Sequence, residues 1–361
     1  MTSFQSYQDA AAREWLVGNG LGGYASSTLC GSNTRAYHGL LVAALQPPKD
    51  RWLLLAFLDE EIEGHHLACH QYPGAIYPQG YQYIREFRQD PFPRICYEVG
   101  EARVEKTVFM IRGENTTIVR YRITGGEGRF SIVPLMHSRS FHAARPLPLL
   151  QQEELNRGAL IRSSERPDAP IMLHSDGPAF MADERVYHNF EYEAERSRGL
   201  AWKEDLFSPG CFQMELSGEA EFAIAASAWR SSMPDWRSEM AREKPRLEAL
   251  KAPLPERDMA ADSFLVRRGA GLSIIAGYHW FDDWGRDAMI SLPGLLLFTG
   301  RTEEAAAVLR SFASAMQGGV LPNDLGAESY NTVDASLWFV RAVAAYFEQS
   351  EDMPLLQELW P

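Results

Sequence analysis

Apolar and polar positions along this chain follow two different rhythms, and the change falls near Pro234. From Glu14 to about Arg230, short apolar or alternating runs recur between turn-rich clusters. They are Gly39–Ala44, Trp52–Phe57, Arg94–Glu98, Val104–Ile111, Thr116–Ile123, Phe130–Leu135, Ala159–Ile161, Ile171–Leu173 and Glu221–Ala226. Thr117-Ile118-Val119-Arg120-Tyr121-Arg122-Ile123 alternates, as a strand with one wet face does. Many such strands at short spacing, with helical periodicity scarce, predict an antiparallel β-sandwich.

Beyond Pro234 the period becomes helical. Trp236–Leu250 is charged and helix-compatible, and Lys251-Ala-Pro-Leu-Pro255 breaks it. Further helices are expected over Glu256–Arg268, over Ala288–Phe298 behind Asp287 as N-cap, and over Glu303–Met316 behind Thr302. Gly300 stops the second and Gly318-Gly319 the third. A run opening at Asn331 or Thr332 continues through Phe347, and Met353–Trp360 begins another. The expected organisation is a β-sandwich over 1–233, a helical linker over 234–256 and a helical domain over 257–361. The helices present are fewer than half of those in a closed all-helical barrel, so the chain is expected to be a fragment of a longer one.

Composition adds exclusions. A length of 361 residues suits about two domains. Apolar residues at 45% and charged residues at 23% suffice for ordinary globular cores. With 35 basic against 48 acidic residues the formal charge is −13, and there is no basic run. Coating a nucleic acid or an anionic membrane is therefore not expected. Cys30, Cys69, Cys96 and Cys211 form no CxxC pair and are too few for a disulfide scaffold. Met1–Arg13 lacks the charge and apolar run of a secretory signal. The longest apolar stretches, such as Leu40–Leu45 and Leu53–Leu58, fall far short of the ~20 residues of a membrane span. A soluble, cytoplasmic protein is expected.

Two clusters carry candidate chemistry. Gly277-Tyr-His-Trp-Phe-Asp-Asp-Trp-Gly-Arg-Asp287 interleaves four aromatic rings with three carboxylates and an arginine before a helix. Rings can cover the apolar face of a pyranose while carboxylate and guanidinium groups hold its hydroxyls. The plainer alternative is an aromatic core loop with Asp287 as a cap and Arg286 in a salt bridge. Leu321–Ala335 again gathers carboxylates, an amide and an aromatic ring ahead of a helix. Asp334, Leu337, Trp338 and Arg341 share helical spacing, so Asp334 is expected to face inward, where burial would raise its pKa as a general acid requires. The alternative is an aspartate that only favours the helix N-terminus. From the two clusters and the helix that follows the second, the candidate sugar contacts are Trp280, Asp283, Trp284, Arg286, Asp287, Tyr330, Asn331 and Trp338.

Weaker signals are discounted. Gly18-Asn-Gly-Leu-Gly-Gly23 contains GxGxxG but lacks the following helix and acidic residue, and is expected to be a turn between strands. His65-His-Leu-Ala-Cys-His70 offers ligand types without an HExxH arrangement and is expected to be a solvated loop. No phosphate-binding Gly-rich loop with Lys-Ser/Thr and no GxSxG occurs.

Two blocks give the chain a resemblance to the bacterial and archaeal glycogen-debranching enzymes of the amylo-α-1,6-glucosidase type. Glu14–Thr28 with Asn33–Ala43 resembles the opening of that family's N-terminal domain. Trp284-Gly-Arg-Asp287, followed by Tyr330-Asn-Thr-Val-Asp-Ala335, resembles the start of its catalytic domain. The resemblance implies a β-sandwich, a helical linker and the first part of an (α/α)6 barrel. It implies hydrolysis of the α-1,6-linked glucose at a trimmed branch point of glycogen or limit dextrin. It further implies that Arg286 and Asp287 hold the terminal glucose and that Asp334 is the general acid, with Glu328 as the alternative acid. Inversion by two carboxylates roughly 6.5–9.5 Å apart would follow, with no metal or organic cofactor. The base is expected beyond residue 361, which would leave this chain weakly active or inactive. Competing expectations are a non-catalytic glucan-binding protein and a related helical-barrel enzyme acting on α-1,4 glucan or trehalose. Arg35, Tyr37 and His38 either line the mouth of a cleft or pin a turn.

Overall fold

The computed structural model describes residues 6–250, 255–326 and 329–359, with side chains at 255–259 not described. The chain forms two compact units. One contains Met1–Asn19, Gly23–Leu45 and Asp50–Glu243; the other contains Gly20–Gly22, Gln46–Lys49 and Lys244–Pro361.

The first unit is antiparallel sheet, with short helices at Tyr7–Ala11 and Glu193–Ser197 and most of the Trp236–Ala249 helix. Fourteen strands join in one branched sheet. Its spine is two long neighbours, Thr116–Ser140 and Lys203–Ala228, paired from Thr116↔Ser227 to Met136↔Phe207. The alternation anticipated at 117–123 holds over its second half, where Tyr121 and Ile123 are buried and Arg122 faces out, but Thr117, Ile118 and Val119 are all buried. The runs 116–123 and 130–135 are parts of one strand. Gly125 and Gly128 take positive φ, and the register shifts between Ile123 and Gly126, so the glycines make a bulge where a turn was expected. Gly18–Gly23 lies between the paired strands Glu14–Gly18 and Tyr24–Thr28, as expected of a turn.

Ion pairs cross the interior of this unit. Arg139 Nε donates to Glu204 at 2.6 Å with side chains 1% and 0% exposed, and Arg139 also donates to the Ala36 carbonyl. Lys106 lies 2.6 Å from buried Glu60, which also accepts from the Tyr121 hydroxyl. The expectation of a solvated loop at 65–70 is half corrected. His65 and His66 are exposed, but Cys69 and His70 are buried, with His70 Nε2 2.8 Å from Asp59. Arg35, Tyr37 and His38 pin local structure. Arg35 donates to Glu14, the Tyr37 carbonyl accepts from Tyr24, and His38 Nδ1 accepts from the Thr34 amide.

In the second unit the predicted Glu256–Arg268 helix stops at Phe264. Leu265–Arg268 instead pairs with Gly271–Ile274 as a hairpin, its turn containing Gly269 at φ +55°. Helices follow at Gly285–Leu292, Thr302–Ser314, Asp334–Ser350 and Met353–Leu359. Pro293 has no amide to continue the first, and the chain passes through one π-turn, with Phe298 N–H on the Pro293 carbonyl. Ala288, Leu292, Leu309, Phe312, Ala335 and Phe339 belong to one buried cluster. Asp262 gathers Arg246 at 2.8 Å and Arg301 at 3.0 Å. None of the described helices is long and apolar enough to cross a membrane.

Removing one partner of a buried ion pair strands the other charge, at about 3–5 kcal/mol. Glu204→Ala is therefore expected to lower the urea midpoint of the sheet unit sharply. Arg162→Ala, which removes an exposed pair with Glu153 at 3.8 Å, should shift stability by about 1 kcal/mol or less. Equal effects from the two variants would refute the weight given to the buried pair.

Candidate active site

The two chemistry-bearing segments meet through their backbones. The Gly285 amide donates to the Asn323 carbonyl at 3.0 Å, Trp284 and Asp324 form an antiparallel bridge, and the Leu325 amide faces the Asp283 carbonyl at 3.4 Å. The Leu321 amide reaches the Ser336 hydroxyl at 2.9 Å. Gly285 is required for this approach. A Cβ there would lie 2.7 Å from the Pro322 carbonyl oxygen and 3.7 Å from the Ala335 Cβ.

Arg268 braces the junction from the hairpin. Its Nη1 donates to Asp283 at 2.8 Å and its Nη2 donates to the Leu325 carbonyl. Lys49 pairs with Asp324 at 2.5 Å. A groove of about 550 Å³ opens here, lined in part by Lys49, Arg267, Arg268 and Gly326. Asp283 is 0% exposed. Burial raises its carboxyl from the ordinary 3.8 to about 6, while Arg268 and then Ser273 pull it back down.

Above this junction two helices begin side by side. Arg286 and Asp287 lie in the first turn of Gly285–Leu292, and Asp334 is the first residue of Asp334–Ser350. Arg286 Nη1 is 3.4 Å from Asp334 Oδ2, and its Nε is 3.6 Å from Asp287 Oδ2. The other Asp334 oxygen accepts from the Ala335 amide at 2.9 Å. Exposure of these side chains is 46% for Arg286, 42% for Asp334 and 38% for Asp287. Ion pairs this open contribute roughly 0–1 kcal/mol to a fold.

The inward placement expected for Asp334 is overturned. The buried side of its helix is Ala335, Phe339, Ala342 and Tyr346, whereas Leu337 is 65% exposed and Arg341 stacks over the Trp338 ring. Both stripes have helical spacing, and the alanine-rich one permits the close contact with Gly285. Other candidates scatter around the junction. Trp280 is half-buried beside His279, and Trp284 meets the exposed Phe281 edge-on at 5.5 Å. Tyr330 turns its hydroxyl to the Ala315 carbonyl at 3.1 Å, and exposed Asn331 accepts from Ser329. Glu328 lies outside the described residues. Arg268 and Lys49 were missed, because nothing in their local sequence marks them as partners of Asp283 and Asp324.

Residues 13–223 match the family described as "Glycogen debranching enzyme N terminal", and residues 259–361 match "Amylo-alpha-1,6-glucosidase". The chain belongs to the glycogen debranching enzyme family. A stretch of 66 residues is 47% identical to the glycogen debranching enzyme of Saccharomyces cerevisiae, covering 18% of this chain and 4% of the yeast protein. Among solved structures, a bacterial glucoamylase complexed with acarbose is similar at TM-score 0.48 and 12% identity, over 97% of this chain and 56% of that one. A family GH92 α-mannosidase from Bacteroides thetaiotaomicron is similar at TM-score 0.26 and 9% identity, over 74% and 42%. The debranching family is one of glycoside hydrolases, and its second matched region contains the junction described above apart from Lys49.

Two expectations follow. The folded protein holds the Asp283 proton more tightly than the unfolded chain does. That contribution is full below about pH 4 and is lost as the pH rises through about 6, a change of up to about 3 kcal/mol. Asp283→Asn should abolish this part of the pH dependence, so its stability relative to the parent rises between about pH 4 and 7. A flat difference across that range would sink the assignment. Gly285→Ala should destabilise the helical unit by about 1–3 kcal/mol in thermal unfolding, whereas Gly294→Ala, where a Cβ meets nothing within 4 Å, should be far milder.

Proposed function

We propose that this protein hydrolyses α-1,6-linked glucose from trimmed branch points of glycogen or a limit dextrin. The observation that carries this reading is the convergence of Asp287 and Asp334 on one arginine at the starts of two helices. The fold gains little from such exposed pairs. Their grouping suits a ligand with vicinal hydroxyls, which a guanidinium and carboxylates hold by directional, charge-assisted hydrogen bonds. Trp280, Phe281 and Trp284 supply rings nearby for the apolar face of a sugar.

In this mechanism Arg286 and Asp287 orient the terminal glucosyl unit. Asp334 donates its proton to the glycosidic oxygen as the bond breaks. A second carboxylate, which we do not assign within this chain, removes a proton from water attacking the opposite face, so the anomeric configuration inverts. Asp283 acts through position, since its carboxyl is buried against Arg268. We read residues 257–361 as the first part of an (α/α)6 barrel and the sheet unit as a β-sandwich.

The test is glucose release from limit dextrin, panose, isomaltose and maltose by a chain extended to the full gene product. Asp334→Asn should lower kcat by about 10²–10⁴-fold with substrate binding retained. Arg286→Ala should chiefly raise KM. If Glu328→Gln abolishes turnover while Asp334→Asn does not, the acid has been misassigned. Glucan binding without turnover in the extended chain would overturn the enzymatic reading.

A further inference from the structure

The groove beside the Leu265–Arg268 strand has no role in the proposed hydrolysis. Its open space is about 550 Å³, within the range of small-molecule sites. Among the described residues three cations line it, Lys49, Arg267 and Arg268, and no carboxylate does. Asp324 and Asp283, which pair with Lys49 and Arg268, are not part of its wall. All of its lining residues belong to the second compact unit.

Arg267 differs from the other two cations. Its side chain is exposed and makes no ion pair with the described residues, while its amide is fixed on the Gly20 carbonyl at 2.8 Å. Gly269 and Gly326, at φ +55° and +85°, put bare backbone in the wall. A Cβ at residue 326 would lie 2.6 Å from Arg268 Nη2, so that guanidinium rests against the backbone. Leu21 and Pro47 add apolar surface, and Gln46 adds an amide. The chain as a whole carries −13, so a groove that presents only cations is a local reversal of sign.

We propose that this groove binds a sugar phosphate, with Arg267, Lys49 and Arg268 around its phosphate monoester. Such a group concentrates negative charge on one tetrahedron of acceptor oxygens. A guanidinium can hold two of those oxygens by parallel hydrogen bonds, and a lysine adds a compact charge. Inorganic phosphate would fill only a small part of the space. The remainder offers Gln46 for hydroxyls and Leu21 and Pro47 for an apolar C–H face. The choice of a sugar body rests on the glycosidase reading above, whereas the choice of an anion does not. The ester can belong to a free monosaccharide or to a phosphorylated unit of a glucan, which present the same chemistry. Arg268 also holds Asp283 and the Leu325 carbonyl, so a bound anion would act on the brace beneath the helix starts.

Titration calorimetry of the folded chain with glucose 6-phosphate, inorganic phosphate, glucose and a phosphorylated maltooligosaccharide tests this, and it reads binding whether or not the chain hydrolyses any glucan. Glucose 6-phosphate should bind about tenfold more tightly than inorganic phosphate or glucose. In the parent chain, raising NaCl from about 50 to about 200 mM should weaken that binding. Arg267→Ala should weaken it about tenfold, and Arg267→Lys should restore part of the loss. Arg162→Ala, which removes an exposed arginine of the sheet unit, should leave it unchanged. Tighter binding of the oligosaccharide than of glucose 6-phosphate supports a site for phosphorylated glucan, and the reverse order supports a site for a free effector. No binding of either ester, or an equal loss in Arg162→Ala and Arg267→Ala, would overturn the site. Inorganic phosphate or glucose binding as tightly as glucose 6-phosphate would overturn the sugar phosphate as its ligand.

Discussion

The candidate site depends on a short backbone junction. Two segments that carry carboxylates, 48 residues apart at Arg286 and Asp334, are held together by the Gly285–Asn323 hydrogen bond and the Trp284–Asp324 bridge. Neither contact involves a side chain of the candidate chemistry. They work because residue 285 has no Cβ, which lets the Pro322 carbonyl approach the helix start. Arg268 then spans both sides, from the Asp283 carboxylate to the Leu325 carbonyl. A charged brace under an open site has a physical logic. The buried end sits in low dielectric, where a hydrogen-bonded ion pair fixes geometry strongly. The exposed end keeps its polar groups free to exchange water for a ligand.

The sheet unit uses buried charge differently. Arg139–Glu204 and Lys106–Glu60 lie where desolvation offsets most of their Coulomb attraction, so they are weak sources of net stability. They do select one arrangement. Glu204 and Arg139 sit in the two long neighbouring strands, and a one-residue slip of either would turn a charge toward the wrong face. Bulges in that pairing, as at Gly125–Gly126, make register a local matter, and the Arg139–Glu204 pair acts as a fixed point for strands of 25 and 26 residues.

Where sequence reasoning succeeded, one face of an element differed clearly from the other. Residues 120–123 alternate in the structure as their pattern indicates, with Tyr121 and Ile123 buried and Arg122 exposed, while Thr117, Ile118 and Val119 are all covered. Where it failed, two solutions were locally equivalent. Leu265-Val266 continues a helical pattern as well as it starts a strand, and only Gly269 with the tertiary pairing to Gly271–Ile274 settles the hairpin. On the Asp334–Ser350 helix, the stripe with Leu337 and Trp338 offers bulky apolar side chains, as the stripe with Ala335, Phe339, Ala342 and Tyr346 also does. The alanines win because two helix starts must approach closely, a constraint visible only when both helices are in place. The same limit hid Lys49 and Arg268, whose partners are far along the chain.

The exposure of Asp334 bears on the proposed chemistry in a specific way. A general acid works best where water is excluded, and here roughly four-tenths of the side chain is wet. The exclusion must then come from what covers the pair. Trp280, Phe281 and Trp284 stand in the segment that leads into Arg286, so a sugar placed against those rings would displace water beside the Arg286–Asp334 pair. Binding and protonation would be coupled through the same sugar face, and a ligand without that apolar face would bind the arginine yet leave the acid solvated. Discrimination at this site would then rest on the rings as much as on the charges.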